Sequence, residues 1–139
     1  MRPIYEQESD RTNEYKVASL YCKKGYTFEM TPKFFGFDVA YLENGIIKAI
    51  AEIKCRSHEY GKFPTFFISS EKLNKLHSIH TSTGLPTLII VKWGCGTVGH
   101  VMIPLEVTLT IGGRTDRNDA KDIEMLVNIP ISKFTLKKQ

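Results

Sequence analysis

The sequence predicts a mixed α/β (α+β) fold in which helices flank a central mixed β-sheet. Three patterns indicate this fold class: an apolar stripe at helical spacing around residue 17, two β-type runs on either side of Asn44-Gly45, and a continuous apolar run over residues 85–93. The chain has 139 residues, of which 42% are hydrophobic, so it is long enough to bury a core.

Net charge, the length of apolar runs and cysteine usage indicate which classes of protein the chain can belong to. Nineteen basic and fifteen acidic side chains give a net charge of +4, which is compatible with a polyanionic partner without requiring one. No apolar run approaches the roughly 18 residues of a membrane span, and the N-terminus turns acidic at once, unlike a secretory signal. Cys22, Cys55 and Cys95 are odd in number and lack metal-ligand spacing, so we expect reduced, mostly buried thiols in a cytoplasmic protein.

The first helix is predicted to start near Asp10 or Thr12 and to run to Lys24, with Gly25 as its left-handed stop. Residues 26–31 follow as a short strand.

A carboxylate extends the apolar stripe of this helix by one turn. Glu14 shares a helix face with Val17, Ala18 and Tyr21. Two interpretations stay open at this point: Glu14 belongs to a functional site, or it is a solvated acid in the first turn, where the helix dipole favours negative charge.

The central hairpin has two alternative registers. A two-residue loop at Asn44-Gly45 would pair Asp38 with Ala51 and leave Glu52 on the other face of the sheet. A three-residue loop with Gly45 in a left-handed bulge position would instead pair Leu42 with Ile46 and Asp38 with Ile50.

Burial favours the three-residue loop. In that register one face is apolar throughout, as a core face should be, and the other carries the charged groups. The predicted core face comprises Phe37, Val39, Tyr41, Ile47, Ala49, Ala51, Ile53 and Cys55. The predicted site face comprises Asp38, Ile50, Glu52 and Lys54.

A second helix is predicted from Glu71 to about His80, capped by Ser69 and Ser70 and ended by Gly84. On this helix Lys72 should lie nearer the inner face than Lys75, which pairs with Glu71 on the outside. The remaining predictions are a strand over residues 85–93 buried on both faces, strands over 97–103 and about 125–134, and a polar loop over 112–119.

Two carboxylates and a lysine thus converge on one sheet face. The oxygens of Asp38 and Glu52 suit a hard cation such as Mg²⁺, which binds few protein oxygens and keeps several waters. Lys54, two residues beyond Glu52 on the same face, can orient or deprotonate an attacking water and offset charge on a phosphate. The chemistry that these residues suit is metal-assisted hydrolysis.

The order Asp38, thirteen residues, then Glu52-Ile53-Lys54 resembles the PD-(D/E)xK signature of restriction-endonuclease-like nucleases. The sequence is similar to Holliday-junction resolvases and phage-encoded endonucleases, which place a glutamate-bearing helix before the hairpin and a Lys- or Gln-bearing helix after it. Glu14 and Lys72 stand at those places, whereas Phe37 replaces the proline of the signature. The resemblance covers about residues 10–105 of an expected single domain, 1–139, with a C-terminal strand extension at 106–139.

The resemblance implies a divalent-metal-dependent DNA endonuclease using Mg²⁺ or Mn²⁺, acting as a homodimer on DNA that is branched in the resolvases. Asp38, Glu52 and the carbonyl of Ile53 would hold the metal, and Glu14 would support a second metal or its waters. Lys54 would act on the nucleophile and Lys72 would contact phosphate.

Other interpretations remain open. Arg56 and Lys62 would contact a nucleic-acid backbone or simply solubilise a loop. An alternative function is a catalytically inactive DNA- or protein-binding module on the same fold, although such a module has no reason to keep two like charges together. His77 and His80 lack the partners of a metal site, so we expect them at a surface helix end.

Overall fold

The computed structural model describes residues 7–32, 35–105, 108–113 and 123–138. Over these residues the chain forms two α-helices, nine β-strands and one short 3-10 helix. The elements are α1 (Gln7–Leu20), β1 (Thr27–Met30), β2 (Val39–Glu43), β3 (Ile46–Cys55), β4 (Thr65–Ser69), α2 (Ser70–Thr83), β5 (Thr87–Lys92), β6 (Val98–Met102), β7 (Thr108–Gly113), β8 (Ile123–Pro130), the 3-10 helix (Ile131–Lys133) and β9 (Thr135–Leu136).

The main sheet has six strands in the order β1-β2-β3-β5-β6-β9. The β3–β5 pair is parallel and the other pairs are antiparallel, so the predicted mixed sheet is confirmed. A parallel pair needs a long crossover, which β4 and α2 supply. The predicted doubly buried strand is β5, whose Ile89, Ile90 and Val91 are completely shielded from solvent.

A second sheet, in the order β4-β8-β7, was not predicted from the sequence. Its strands are antiparallel, with Phe66 of β4 opposite Ile129 of β8. The strand predicted at about residues 125–134 corresponds to β8 and ends early, because the 3-10 helix begins after Pro130. β9 follows beyond the predicted range and joins the edge of the main sheet. Of the predicted polar loop, Gly112 and Gly113 belong to β7 and residues 114–119 lie outside the described residues.

The two helices cover opposite faces of the main sheet. Val17 and Ala18 of α1 pack with Ala51 and Ile53, among others, in one buried cluster. Leu73 and Leu76 of α2 belong to a second cluster, with residues of β4, β5, β6 and β8. Along β5, Ile90 belongs to the α1 cluster while Ile89 and Val91 belong to the α2 cluster, as strand alternation requires. Among the described residues no helix is long and apolar enough to span a membrane.

The predicted hairpin register is wrong, although the predicted site face is right. Asn44 and Gly45 form a two-residue turn with φ values of 52° and 78°, and Glu43 pairs with Ile46 across it. Tyr41 then pairs with Ala49, so Lys48 is an extra residue that forms a β-bulge. The bulge sets Asp38 and Glu52 on the same face of the sheet, which the two-residue turn alone would not do.

The predicted end of the first helix is also wrong. α1 ends at Leu20, where the N–H of Tyr21 donates to Ala18 O at 3.1 Å in a tightened last turn. Gly25, with φ of 88°, belongs to a separate later turn closed by Tyr26 N–H and Lys23 O. For α2, by contrast, the Ser69 cap and the left-handed Gly84 end are confirmed.

None of the three cysteines forms a disulfide, as expected for reduced thiols, but they are not mostly buried. Cys22 is half-buried, whereas Cys55 and Cys95 are exposed. Cys55 ends β3 and Cys95 lies in the turn between β5 and β6, so neither reaches the core.

Candidate metal site and active site

The register of the hairpin brings the two predicted carboxylates together. Val39 pairs with Ala51, and the pairing continued by one residue sets Asp38 opposite Glu52 on the same face. The N–H of Asp38 donates to Ala51 O at 2.9 Å, which holds the residue at this position just before β2. The two acids are therefore direct rather than diagonal neighbours, closer than the sequence had indicated.

Asp38 is anchored to the backbone of β3. Its Oδ2 atom accepts a hydrogen bond from the N–H of Ile53 at 2.7 Å. The N–H and carbonyl of one strand residue point to the same side, so the Ile53 carbonyl is directed toward Asp38 as well. The side chains of Asp38 and Glu52 and this carbonyl thus converge on the region where β2 begins.

Glu52 is buried, with only 3% of its surface exposed. Lys54 Nζ lies 3.4 Å from its Oε2 atom, and Lys72 Nζ lies 3.4 Å from its Oε1 atom. Among the described residues Oε1 accepts no hydrogen bond, so its contact with Lys72 is an ion pair without hydrogen-bond geometry. A buried carboxylate oxygen in this condition has unused capacity to bind a cation.

The electrostatics of Glu52 also fit a cation. Burial raises the pKa of this carboxyl above its ordinary value, and the neighbouring charge of Asp38 raises it further, while Lys54 and Lys72 lower it. Two crowded acids are stabilised by adjacent positive charge, which a divalent ion would supply. The donor set of two carboxylates and one carbonyl suits Mg²⁺ or Mn²⁺, which bind oxygen ligands.

Lys72 reaches the site from the start of α2. Its backbone N–H donates to the Ser69 side chain at 3.1 Å, which fixes the first turn of the helix. Leu73 and Leu76 then anchor the inner face of α2 in the core. The Lys72 side chain is 26% exposed and that of Lys75 is 59% exposed, so the predicted inward placement of Lys72 is confirmed.

Glu14 is not brought to the same face of the sheet as Asp38 and Glu52. It is half-buried one turn before Val17 and Ala18, which pack against Ala51 and Ile53. Glu52 points the other way, because neighbouring strand residues alternate. A role for Glu14 remains a prediction.

The two predicted backbone-contact residues differ in their surroundings. Arg56 lies with its guanidinium carbon 4.6 Å from the centroid of the Phe66 ring and donates through Nη2 to Phe67 O at 3.1 Å. Lys62 is exposed, with its Nζ atom 5.6 Å from the centroid of the Phe63 ring. No sequence pattern indicated that Arg56 joins β4 to the end of β3, since only the fold makes them neighbours.

Within the part of the chain that the structure describes, no three His, Cys, Asp or Glu residues are grouped as a metal site. His80 Nδ1 contacts Leu85 O at 2.8 Å near the end of α2, in line with the expected helix-end position. Asp38, Glu52 and the Ile53 carbonyl offer few protein oxygens, which is typical of a site for an ion that keeps several of its waters.

The sequence profile of a family described as "Phage putative PDDEXK endonuclease" matches residues 1–137. The chain belongs to this family. The resemblance seen in the acid pair and in Glu52-Ile53-Lys54 is thereby confirmed at the level of the family.

A solved structure supports the same fold. The Holliday junction resolvase Hjc of Archaeoglobus fulgidus superimposes with a TM-score of 0.53 over 89% of each chain, at 13% sequence identity. A search of curated proteins finds no significant match. At this identity the likeness shows the fold alone, and it confirms the predicted fold class.

The raised pKa of Glu52 predicts how stability depends on pH in this PDDEXK protein. A folded-state pKa above the unfolded one favours folding while the carboxyl is protonated, and that contribution is lost as pH rises through the folded pKa. With EDTA present, Glu52→Gln should therefore gain in melting temperature relative to wild type as pH increases from about the ordinary value of 4.5 toward neutrality.

The control for this comparison is Glu71→Gln, because the Glu71 side chain is 82% exposed and paired only at the surface with Lys75. Its melting temperature should follow that of wild type at every pH. A difference between Glu52→Gln and wild type that stays constant or shrinks with rising pH would contradict the electrostatic description of the site.

Proposed function

We propose that this chain is a divalent-metal-dependent endonuclease that hydrolyses phosphodiester bonds in DNA. The observation that carries the proposal is the pairing of Asp38 with a buried Glu52 beside two ammonium groups. A buried acid held beside a half-buried one is costly unless positive charge offsets their repulsion, and a divalent cation would supply such charge. Membership of an endonuclease family favours a catalytic use of that cation over a purely structural one.

In the proposed mechanism Asp38, Glu52 and the Ile53 carbonyl hold Mg²⁺ or Mn²⁺. When bound, the ion polarises the scissile phosphate and makes water more acidic. Lys54, fixed beside Glu52 on the same strand, orients the water that attacks phosphorus and offsets the negative charge that develops. Lys72 contacts a phosphate oxygen from the other side. Water adds to phosphorus, and the bond from phosphorus to the leaving sugar oxygen breaks, with the oxygen gaining a proton.

DNA as the substrate is supported by the surroundings of the site. The net charge of +4 favours a polyanion, and Lys72 and Lys62 offer ammonium groups to a phosphate backbone. Arg56 is part of the proposed contact surface too, although its guanidinium already binds β4. The Hjc protein is a Holliday junction resolvase, which supports branched DNA as a finer proposal for this chain. Action as a homodimer is a further proposal, which rests on the resemblance of the sequence to resolvases.

The test of the function is cleavage of supercoiled plasmid and of linear, flapped and four-way DNA with Mg²⁺ or Mn²⁺. Asp38→Asn should reduce cleavage of each substrate to background, since it removes the charge but keeps an oxygen for the Ile53 N–H. Glu43→Gln, at the far end of the same strand, should cleave as wild type does. Unchanged activity of Asp38→Asn would refute the metal assignment, whereas a wild type that binds DNA but never cuts would favour the inactive binding module.

Lys54 has a separate prediction because its ammonium lies within 3.4 Å of Glu52. Lys54→Ala should lower the single-turnover rate by roughly 10²–10⁴-fold, the range for a lost proton-handling group. Binding of uncleaved DNA, measured with Ca²⁺ in place of Mg²⁺, should change far less, and Lys75→Ala should alter neither quantity. Loss of affinity with a preserved rate would instead make Lys54 a phosphate anchor.

Glu14 is proposed as a group that supports the metal or its waters, because it is a half-buried acid on the helix before the hairpin, where the nucleases that the sequence resembles carry a glutamate. Cleavage rate is measured against Mg²⁺ concentration for Glu14→Gln and for Glu29→Gln, an exposed acid on β1. Glu14→Gln should need more Mg²⁺ or reach a lower plateau, because a water-holding charge is lost. Identical curves for both variants and wild type would remove Glu14 from the site.

A further inference from the structure

Both carboxylate oxygens of Glu52 are contacted by lysines from different elements. Lys54 belongs to β3 itself and lies beside Oε2, while Lys72 comes from α2 and lies beside Oε1. Together with Asp38, these side chains form a charge-balanced group of two acids and two bases. Adding a divalent ion to this group leaves an excess of two positive charges, which the departure of one lysine and the arrival of one anionic charge would together offset.

The two lysines are not equivalent in this respect. Lys54 is a neighbour of Glu52 on the same face of one strand, with its Nζ atom 3.4 Å from Oε2, so the strand itself keeps it near the acid. Lys72 faces an oxygen that accepts no hydrogen bond from the described residues, and its contact is held by charge alone. The Lys72 side chain is also long and 26% exposed, so it can turn outward.

We propose that Lys72 is an exchangeable counterion of Glu52, released from Oε1 when the metal binds and transferred to a phosphate of the bound DNA. The inference rests on the proposed function and adds to it an order of events. Metal binding frees Lys72, and phosphate gives the freed ammonium an anionic partner. Each ligand therefore raises the affinity for the other, as thermodynamic linkage requires.

The direct test is Mn²⁺ binding measured by isothermal titration calorimetry, which requires no turnover. Lys72→Met removes the competing charge and keeps an unbranched side chain, so Mn²⁺ should bind about tenfold more tightly or better, as expected for the loss of a like charge a few ångströms away. Lys72→Arg keeps the charge and should bind as weakly as wild type. Lys75→Met, three residues along α2 at its exposed pair with Glu71, should leave the affinity unchanged.

The linkage is tested by repeating the titration with a short DNA duplex in the slowly cleaving Lys54→Ala background. DNA should tighten Mn²⁺ binding when Lys72 is present and do so much less when it is replaced by Met. Should Lys72→Met fold only with Mn²⁺, that dependence supports the exchange as well, because the ion then replaces the missing ammonium.

The outcomes separate this inference from the proposed function. Equal Mn²⁺ affinity of wild type and Lys72→Met, with binding still lost in Asp38→Asn, overturns the exchange and leaves the nuclease proposal intact. Absence of any Asp38-dependent Mn²⁺ binding overturns both.

Discussion

One extra residue in β3 determines which side chains of the hairpin face α2. The two-residue turn at Asn44-Gly45 would by itself set Glu52 on the face that α1 covers. The bulge at Lys48 shifts the pairing by one residue and turns Glu52 toward Asp38 and Lys72. Because side chains on a strand alternate, the placement of Glu52 beside Asp38 depends on this single change of parity, whereas Lys54 lies beside Glu52 on the same strand in either case.

The burial of Glu52 follows from that change and explains its neighbours. Once turned toward α2, the carboxylate lies under a helix anchored by Leu73 and Leu76, where water does not reach it. An isolated charge at such a depth would be strongly destabilising. The positive charges of Lys54 and Lys72 reduce the free-energy cost of this buried carboxylate, and the negative charge of Asp38 increases it. The site thus keeps an electrostatically unfavourable pair of acids in place, which is typical of functional sites.

The sequence could predict the site face but not the path that produces it. The alternation of apolar and charged residues in β3 indicates which side chains share a face, but it does not indicate where the extra residue lies. A bulge in the turn and a bulge at Lys48 both set Asp38 and Glu52 on the same face. The second sheet was missed because β4 and β7 are short, and their pairing with β8 joins residues far apart in the chain. The end of α1 was misplaced because Gly25 is a helix-stop residue type that serves a later turn. Contacts such as Arg56 on Phe66 depend on the fold and had no local signal.

The pairing of β4 with β8 affects the order in which the site is assembled during synthesis. α2 follows β4 directly and also contacts β8, so the helix that carries Lys72 rests on a strand made near the end of the chain. During synthesis from the N-terminus, the hairpin with Asp38 and Glu52 emerges long before the strand that supports α2. The contacts around Glu52 are thus completed only when residues 123–130 have joined the second sheet. Until then, a nascent chain contains both acids but lacks the strand on which α2 packs.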